Sequence, residues 1–582
     1  MYIDEVPNRS SRPTVLLRKG WREGKKTPKR TLANLTGWPA QKVEALRQLL
    51  RGLQMVPAEE AVAIERSLPH GHVAAVLEAI RRLGLEGLIA SKRSRQRDLV
   101  IAMIVQHLIA PRSKLGTTRS WHTTTLAGEL HVADADVDEL YDALDWLLAR
   151  QERIERKLAA RHLEEGGRAL YDVSNSHYEG RTCVLAHLGR DKATQACRLV
   201  IVYGVMTNAR GCPVGVEVYS GDTGDPTTVP DQVEKLRGRF GLERIVLVGD
   251  RGMLTQARID QLKEFPQLGW ISALRSDGIR KLLDSGALQL SLFDRQDLAE
   301  IVSPDFPGER LVVCFNPLLH DERRRTREDL LGATEKELDK IARAVARRTR
   351  TPLTEQEIAL RVGRVVHRFK VAKHFNLTIG DNLFVWKRNA ESIEAEQALD
   401  GIYVIRTSEP AERLAPDHTV RAYKSLADVE RAFRILKSFD IRVRPIRHRT
   451  EDHVRAHVFL CFLAYYVHWH MRQAVASLLF DDEDLQADRL RRDPVKPAHP
   501  SPGAQLKKHA RRNTEGFPVH SFQTLLDELA TQCRIWCRIP AGPAAQRPTH
   551  GPFVFEQLTE PTPLQERTFH LLEVFPGYGN SK

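Results

Sequence analysis

The 582-residue chain has little cysteine, no long apolar run and no internal repeat. Its seven cysteines stand at 183, 197, 212, 314, 461, 533 and 537. The single close pair, Cys533 and Cys537, lacks the spacing of a zinc knuckle. This pattern gives no case for structural disulfides and fits reduced thiols in the cytoplasm. The most apolar run, VFLCFLAYYV at 458–467, is about half the length needed to span a bilayer. A buried helix is expected there, and no membrane. The opening MYIDEVPNRSSRP has no apolar core of the kind a signal peptide needs.

What the chain has is charge of one sign in two places. Lys plus Arg number 88 against 75 acids, a net of +13. Residues 1–31 hold nine basic and three acidic side chains, and residues 421–449 hold nine and three again, so each segment carries +6. Such clustering points to a polyanionic partner, although a merely basic surface fits too. The length implies two to four domains.

Residues 1–35 read as short strands and turns, with a small hairpin at TVLLRKGWREG. From about 40 to 165, apolar residues recur three and four apart, which predicts a mainly helical region. From 168 to 275 strands alternate with helices in the order β-β-β-α-β-α-β. Residues 276–400 interrupt this order with charged helical stretches, and LDGIYVIRTS restores a strand at 401–406. Residues 481–518 are polar, basic and proline-rich, which predicts a mobile linker before a small C-terminal helix and strand. The expected regions are therefore 1–165, 166–275, 276–400, 401–480 and 481–582.

Asp172 is expected at the tip of a strand spanning 168–172, and Asp250 at the tip of RIVLVGD. Strands one and four of such a unit can lie side by side, which brings both carboxylates to one edge. Like charges that close repel unless a cation sits between them. Magnesium suits carboxylate oxygens while keeping places for water and phosphate. Either aspartate alone also fits a turn or helix cap, as Asp222 and Asp225 do in their Gly/Pro-rich loop. A helix over 423–438 supplies a third acid: at 100° per residue, Tyr423, Glu430, Arg434 and Lys437 share a narrow band beside a core stripe of Leu426, Val429, Phe433 and Leu436. His453 and His457 lie four apart, and His468 and His470 flank Trp469. No cysteine or further carboxylate completes a tetrahedral zinc set with them at a known spacing.

Together, YDVSNSHYEG, VLVGDRGM and YKSLADVERAFRILK resemble the DDE transposases of bacterial insertion sequences. They are similar to the branch with the signature Y-x2-R-x3-E-x6-K. Tyr423, Glu430 and Lys437 match it, and Leu426 stands at the arginine position. The resemblance implies an α/β, ribonuclease H-like mixed sheet flanked by helices, with an insertion before the last catalytic helix. The insertions of this branch are largely β-structured, and this one reads as partly helical.

The resemblance also implies that Asp172, Asp250 and Glu430 are catalytic. They would hold two Mg2+ ions about 3.5–4 Å apart, with Mn2+ able to substitute. It implies cleavage at the ends of an element, then attack of the freed 3′-hydroxyl on target DNA. Tyr423, Lys437 and Arg251 would contact phosphate, with Arg434 standing in for the missing signature arginine. Arg442, Arg444, Arg447 and Arg449 would contact the DNA backbone. The implied partners are duplex DNA (terminal inverted repeats, recognised by residues 1–165, and target) and a second copy of the chain in a DNA-bound homodimer. The implied location is the bacterial nucleoid. A DNA-binding regulator without a working centre, and a stand-alone nuclease on the same fold, remain open at this point.

Overall fold

The computed structural model describes all residues except 10, 53–61, 266, 290–292, 294–296, 349, 497–498, 539–553 and 575–582. Part of the expected C-terminal helix-and-strand region therefore lies outside the described residues. The chain divides into two compact units, one of residues 1–69 with 532–560 and one of 70–531 with 561–582.

The smaller unit contains two three-stranded antiparallel sheets. One joins Tyr2–Val6, Thr14–Gly20 and Lys29–Asn34; the other joins Ala63–Pro69, Cys533–Arg538 and Val554–Leu558. The expected hairpin is longer than its sequence suggested. Thr14–Gly20 pairs forward with Lys29–Asn34 rather than turning back within 14–24.

The larger unit is built on a nine-stranded mixed sheet. Its strands are β1 (Arg168–His177), β2 (His187–Arg190), β3 (Cys197–Asn208), β4 (Pro213–Tyr219), β5 (Ile245–Val248), β6 (Leu268–Ala273), β7 (Leu298–Ile301), β8 (Arg310–Phe315) and β9 (Ile402–Thr407). The order is β7-β8-β9-β6-β5-β1-β3-β2, and β4 also pairs with β3. β1 runs parallel to β5 and β5 parallel to β6, while β3 is antiparallel to both β1 and β4. The path β4-β3-β1-β5-β6 has the strand order and senses of a ribonuclease H-like core. β5, an unbroken IVLV run, is buried along its whole length, as a parallel strand covered on both faces requires.

Two helical layers cover this sheet. On one face, Leu170 of β1 shares a core with helices α1 (Arg95–Ile109), α2 (Pro416–Lys424), α3 (Leu426–Lys437) and α4 (Glu451–Ala474). On the other, Ala169, Tyr171 and Val173 pack with Val229, Val233 and Ile259. The apolar run at 458–467 is buried on all sides within α4, as expected. No helix among the described residues is long and apolar enough to cross a membrane.

Three expectations need correcting. The break after the N-terminal strands falls at 69, not 165, because residues 73–158 share one continuous core with α3 and α4. The stretch at 481–518 is not a free linker. It forms helices Leu485–Arg491 and Pro502–Ala510, and Arg489 makes a two-pronged pair with Asp428 of α3 at 2.6 and 3.0 Å. Its basic side chains thus find a carboxylate partner that composition cannot reveal. The interruption at 276–400 is divided: β7 and β8 extend the main sheet. Pro317–Arg347, Glu355–Phe369 and the hairpin Phe375–Gly380 with Leu383–Arg388 enclose a separate small core.

Candidate active site

Asp172 does not end its strand. β1 continues five residues further, hydrogen-bonded to β3, with Asp172 opposite Val205. The strand that ends is its neighbour. β5 pairs with β1 through Arg168–Val246, Ala169–Leu247 and Leu170–Val248, then stops. Asp250 follows two residues beyond the end of β5, and its charge bears on Asp172. The Asp250 carbonyl accepts the Met253 and Leu254 amides at 3.0 Å, which turns the chain and leaves the aspartate exposed.

The alternation of β1 places Asp172 and Ser174 on the face of Leu170, against which α3 packs. Lys437, at the end of α3, donates to the Ser174 hydroxyl. Glu430 lies two turns earlier on α3 and is exposed. The helix expected over 423–438 is in fact two, α2 and α3, meeting at Ser425. Tyr423 lies in the last turn of α2, and its half-buried phenol lies in the fields of both Asp250 and Glu430. Leu426 is 9 % exposed and belongs to the core, as its place in the apolar stripe predicts.

The titration of these groups records the crowding. Burial, opposed by the Val173 amide at 2.8 Å and the charge of Lys192, raises the Asp172 carboxyl to about 6, with Asp250 and Asp225 adding to the rise. Burial and then Asp250 push Tyr423 up to about 12. Burial, followed by Arg444 and Lys192, lowers the Lys437 ammonium to about 8, against the pull of Asp191 and Asp172. Asp172 and Asp250 are thus electrostatically coupled, and so are Tyr423 and Glu430. Asp172, Asp250 and Glu430 are not drawn so close that one oxygen of each lies within 4.8 Å of the other two.

Two residues escaped the sequence reading. Lys192 spans the Val173 carbonyl and Asp225, both at 2.9 Å, beside Asp172. Asp225, which its loop composition made bland, adds negative charge at the same place. Neither carries a local signal; the turn after β2 brings Lys192 back onto β1. Ser174 was legible in principle, two residues from Asp172 on the same strand face.

The expected DNA-contacting residues fall in two groups. Arg251 and Arg434 are exposed beside the acids, one directly after Asp250 and the other one turn beyond Glu430. The run at 441–449 alternates: Ile441, Val443 and Ile446 are buried, while Arg442, Arg447 and Arg449 face solvent. The backbone of Ile446 is anchored to β1, accepting from Glu179 at 2.8 Å and donating to the His177 carbonyl at 3.2 Å. Half-buried Arg444 donates to the Lys437 carbonyl at 3.2 Å. Arg447 pairs with exposed Glu179 at 2.8 and 3.0 Å, and the Thr182 hydroxyl donates to the Arg449 carbonyl at 3.3 Å. The basic run therefore extends from Lys437 along the far end of β1.

Residues 189–467 match a family model described as the transposase DDE domain. That span includes Asp250, Tyr423, Glu430 and Lys437 and begins after Asp172. No curated protein matches the chain. A solved structure, the cryo-EM structure of piggyBac transposase synaptic complex with hairpin DNA, is similar at 9% identity and a TM-score of 0.33, over 68% of this chain and 72% of that one. The family match, over a span that holds Asp250, Tyr423, Glu430 and Lys437, supports a DDE transposase.

Proposed function

We propose that the chain is the transposase of a bacterial insertion sequence, of the Y-x2-R-x3-E-x6-K branch. It would cut DNA at the element's ends and join the freed 3′-hydroxyl to target DNA. The observation that carries this reading is the packing of α3, which bears Glu430 and Lys437, over the face of β1 that presents Asp172, beside the parallel strand β5 that leads to Asp250. The family match supplies the chemistry to which that placement belongs.

The acids fit a hard divalent cation. Asp172 is held up to about 6 chiefly by burial, with Asp250 and Asp225 adding to the rise, and a bound cation would offset that cost. Asp172, Asp250 and Glu430 would hold Mg2+, as two ions, with Mn2+ as a substitute. When bound, such ions activate the attacking oxygen and stabilise the leaving one. Lys437 would hold the neighbouring phosphate as a point charge, its ammonium kept in place by Ser174. Tyr423 and Arg251 would touch the same strand. Arg434, one turn from Glu430, would bind the phosphate that the apolar side chain of Leu426 cannot. Arg442, Arg444, Arg447 and Arg449 would track the duplex backbone without reading its sequence. Recognition of the terminal repeats is assigned to residues 1–165, and two copies would bridge two ends at the nucleoid.

The test is a supercoiled plasmid bearing both ends of the element, incubated with protein and Mg2+. Nicking and joining are expected from the wild type and are lost in Asp172→Asn, while DNA binding by gel shift persists. Binding without nicking in the wild type would instead mark a regulator. Cutting that ignores the ends and joins nothing would mark a stand-alone nuclease.

A further inference from the structure

Away from the acids, α1 and α4 bring together three groups, two of them one turn apart on α4 and the third remote in the chain. His107 of α1 meets His457 and Cys461 of α4, all buried, with one ligand atom of each within 4.8 Å of the other two. His457 and Cys461 are four apart and so share a helix face. The histidine is one of those weighed from the sequence; the cysteine and the second imidazole were the missing partners.

The imidazoles are already oriented. Nδ1 of His107 lies 3.2 Å from the Ile441 carbonyl, and Nε2 of His457 lies 3.1 Å from the Val443 carbonyl. A carbonyl can only accept, so each of those nitrogens carries the proton. The lone pairs are therefore on Nε2 of His107 and Nδ1 of His457. This is how metal-binding histidines are usually held, with one nitrogen tied to a carbonyl and the other left for the ion. Cys461 Sγ stands 3.8 Å from both ring nitrogens of His457, Nδ1 among them. Zinc bonds of about 2.3 Å to sulfur and 2.0–2.1 Å to nitrogen at a tetrahedral angle separate the two ligands by about 3.5 Å.

We propose that His107, His457 and Cys461 form a structural site for a borderline-soft transition cation, Zn2+ in the first instance, bracing α1 against α4. The donor set of two neutral imidazoles and a thiolate selects against the hard Mg2+ expected at the acids. His448, whose ring centroid is 4.8 Å from that of His457, or water would supply the fourth ligand. Binding replaces the thiol proton of Cys461, which leaves to solvent. The buried Lys114 acts in both directions. Its charge pulls against the burial that pushes the Cys461 thiol up to about 12, and it opposes the cation. The inference is independent of the transposase reading.

A second cluster, His162, Cys212 and His470, also gathers within 4.8 Å and provides the control. Arg161 and Arg210 both bear on its two imidazoles, and their charges oppose a cation there.

The experiment is Co2+ titration of the metal-stripped full-length chain, followed in the near-ultraviolet for the thiolate-to-cobalt charge-transfer band, with Zn2+ as competitor. Ions at the acids give no such band because their ligands are oxygens. About one equivalent of Co2+ producing the band, its displacement by Zn2+, and its loss in Cys461→Ser and His107→Gln but not in Cys212→Ser, are expected. No band in the wild type, or a band that survives Cys461→Ser, overturns the site. If the variants do not fold, X-ray absorption at the zinc edge of the wild type decides: a mixed sulfur and nitrogen shell supports the proposal, and an oxygen shell overturns it.

Discussion

Replacing Asp172 by asparagine should stabilise the protein while abolishing cleavage. The carboxyl is half-buried and stands at about 6 against an ordinary 3.8, mainly because burial disfavours its charge, with Asp250 and Asp225 adding to it. The sign follows from the direction. A carboxyl whose folded value is raised costs stability once the pH passes its unfolded value, and the full cost is present above the folded one. The interval from 3.8 to about 6, at about 1.36 kcal/mol per pH unit, corresponds to about 3 kcal/mol. Asp172 keeps some exposure to water, so roughly 1–3 kcal/mol is the expected gain. Asparagine retains an oxygen to accept the Val173 amide, so the backbone bond at 2.8 Å survives. Calorimetry without divalent metal, at about pH 8, 6 and 4, reads the effect. The variant should melt above the wild type at about pH 8, with the gain shrinking below about pH 6 and gone near pH 4. Adding Mg2+ should narrow the gap at about pH 8 by stabilising the wild type alone. A variant no more stable at about pH 8, or one whose gain persists at about pH 4, would refute the reasoning.

Asp250→Asn and Glu430→Gln should each abolish plasmid nicking at unchanged DNA affinity; residual nicking within about tenfold of wild type would remove that residue from the proposed cation set. Lys437→Met removes a charged donor to phosphate, worth about 1.5–3 kcal/mol, so cleavage should fall roughly 10–100-fold and the salt dependence of binding should flatten by about one charge. Wild-type cleavage should also weaken as pH rises through about 8, where the Lys437 ammonium is lost, and Lys437→Met should not show that limb. Lys235, 1% exposed and 3.0 Å from both Glu155 and Glu217, neutralises a buried carboxylate. Lys235→Met should therefore cost about 3–5 kcal/mol by chemical denaturation, and adding Glu155→Leu should recover most of it.

Sequence alone determined what depends on short-range pattern. A run of β-branched residues makes β5, and apolar recurrence makes α3. The central order of three strands, helix, strand, helix and strand was likewise legible, apart from the short β2, because each of those elements carries its own periodicity. What lay beyond reach depended on partners remote in the chain. Whether β1 stops at Asp172 is decided by β3, which continues to pair with it, and not by β1. Whether 481–518 is mobile is decided by Asp428, which gives Arg489 a partner. Lys192 and Asp225 join the acidic edge only through the folding of the β2 region, and His107 reaches His457 and Cys461 only because α1 packs on α4. Local preference is written residue by residue, whereas burial, pairing and the fields that shift a carboxyl arise between residues that meet only in three dimensions.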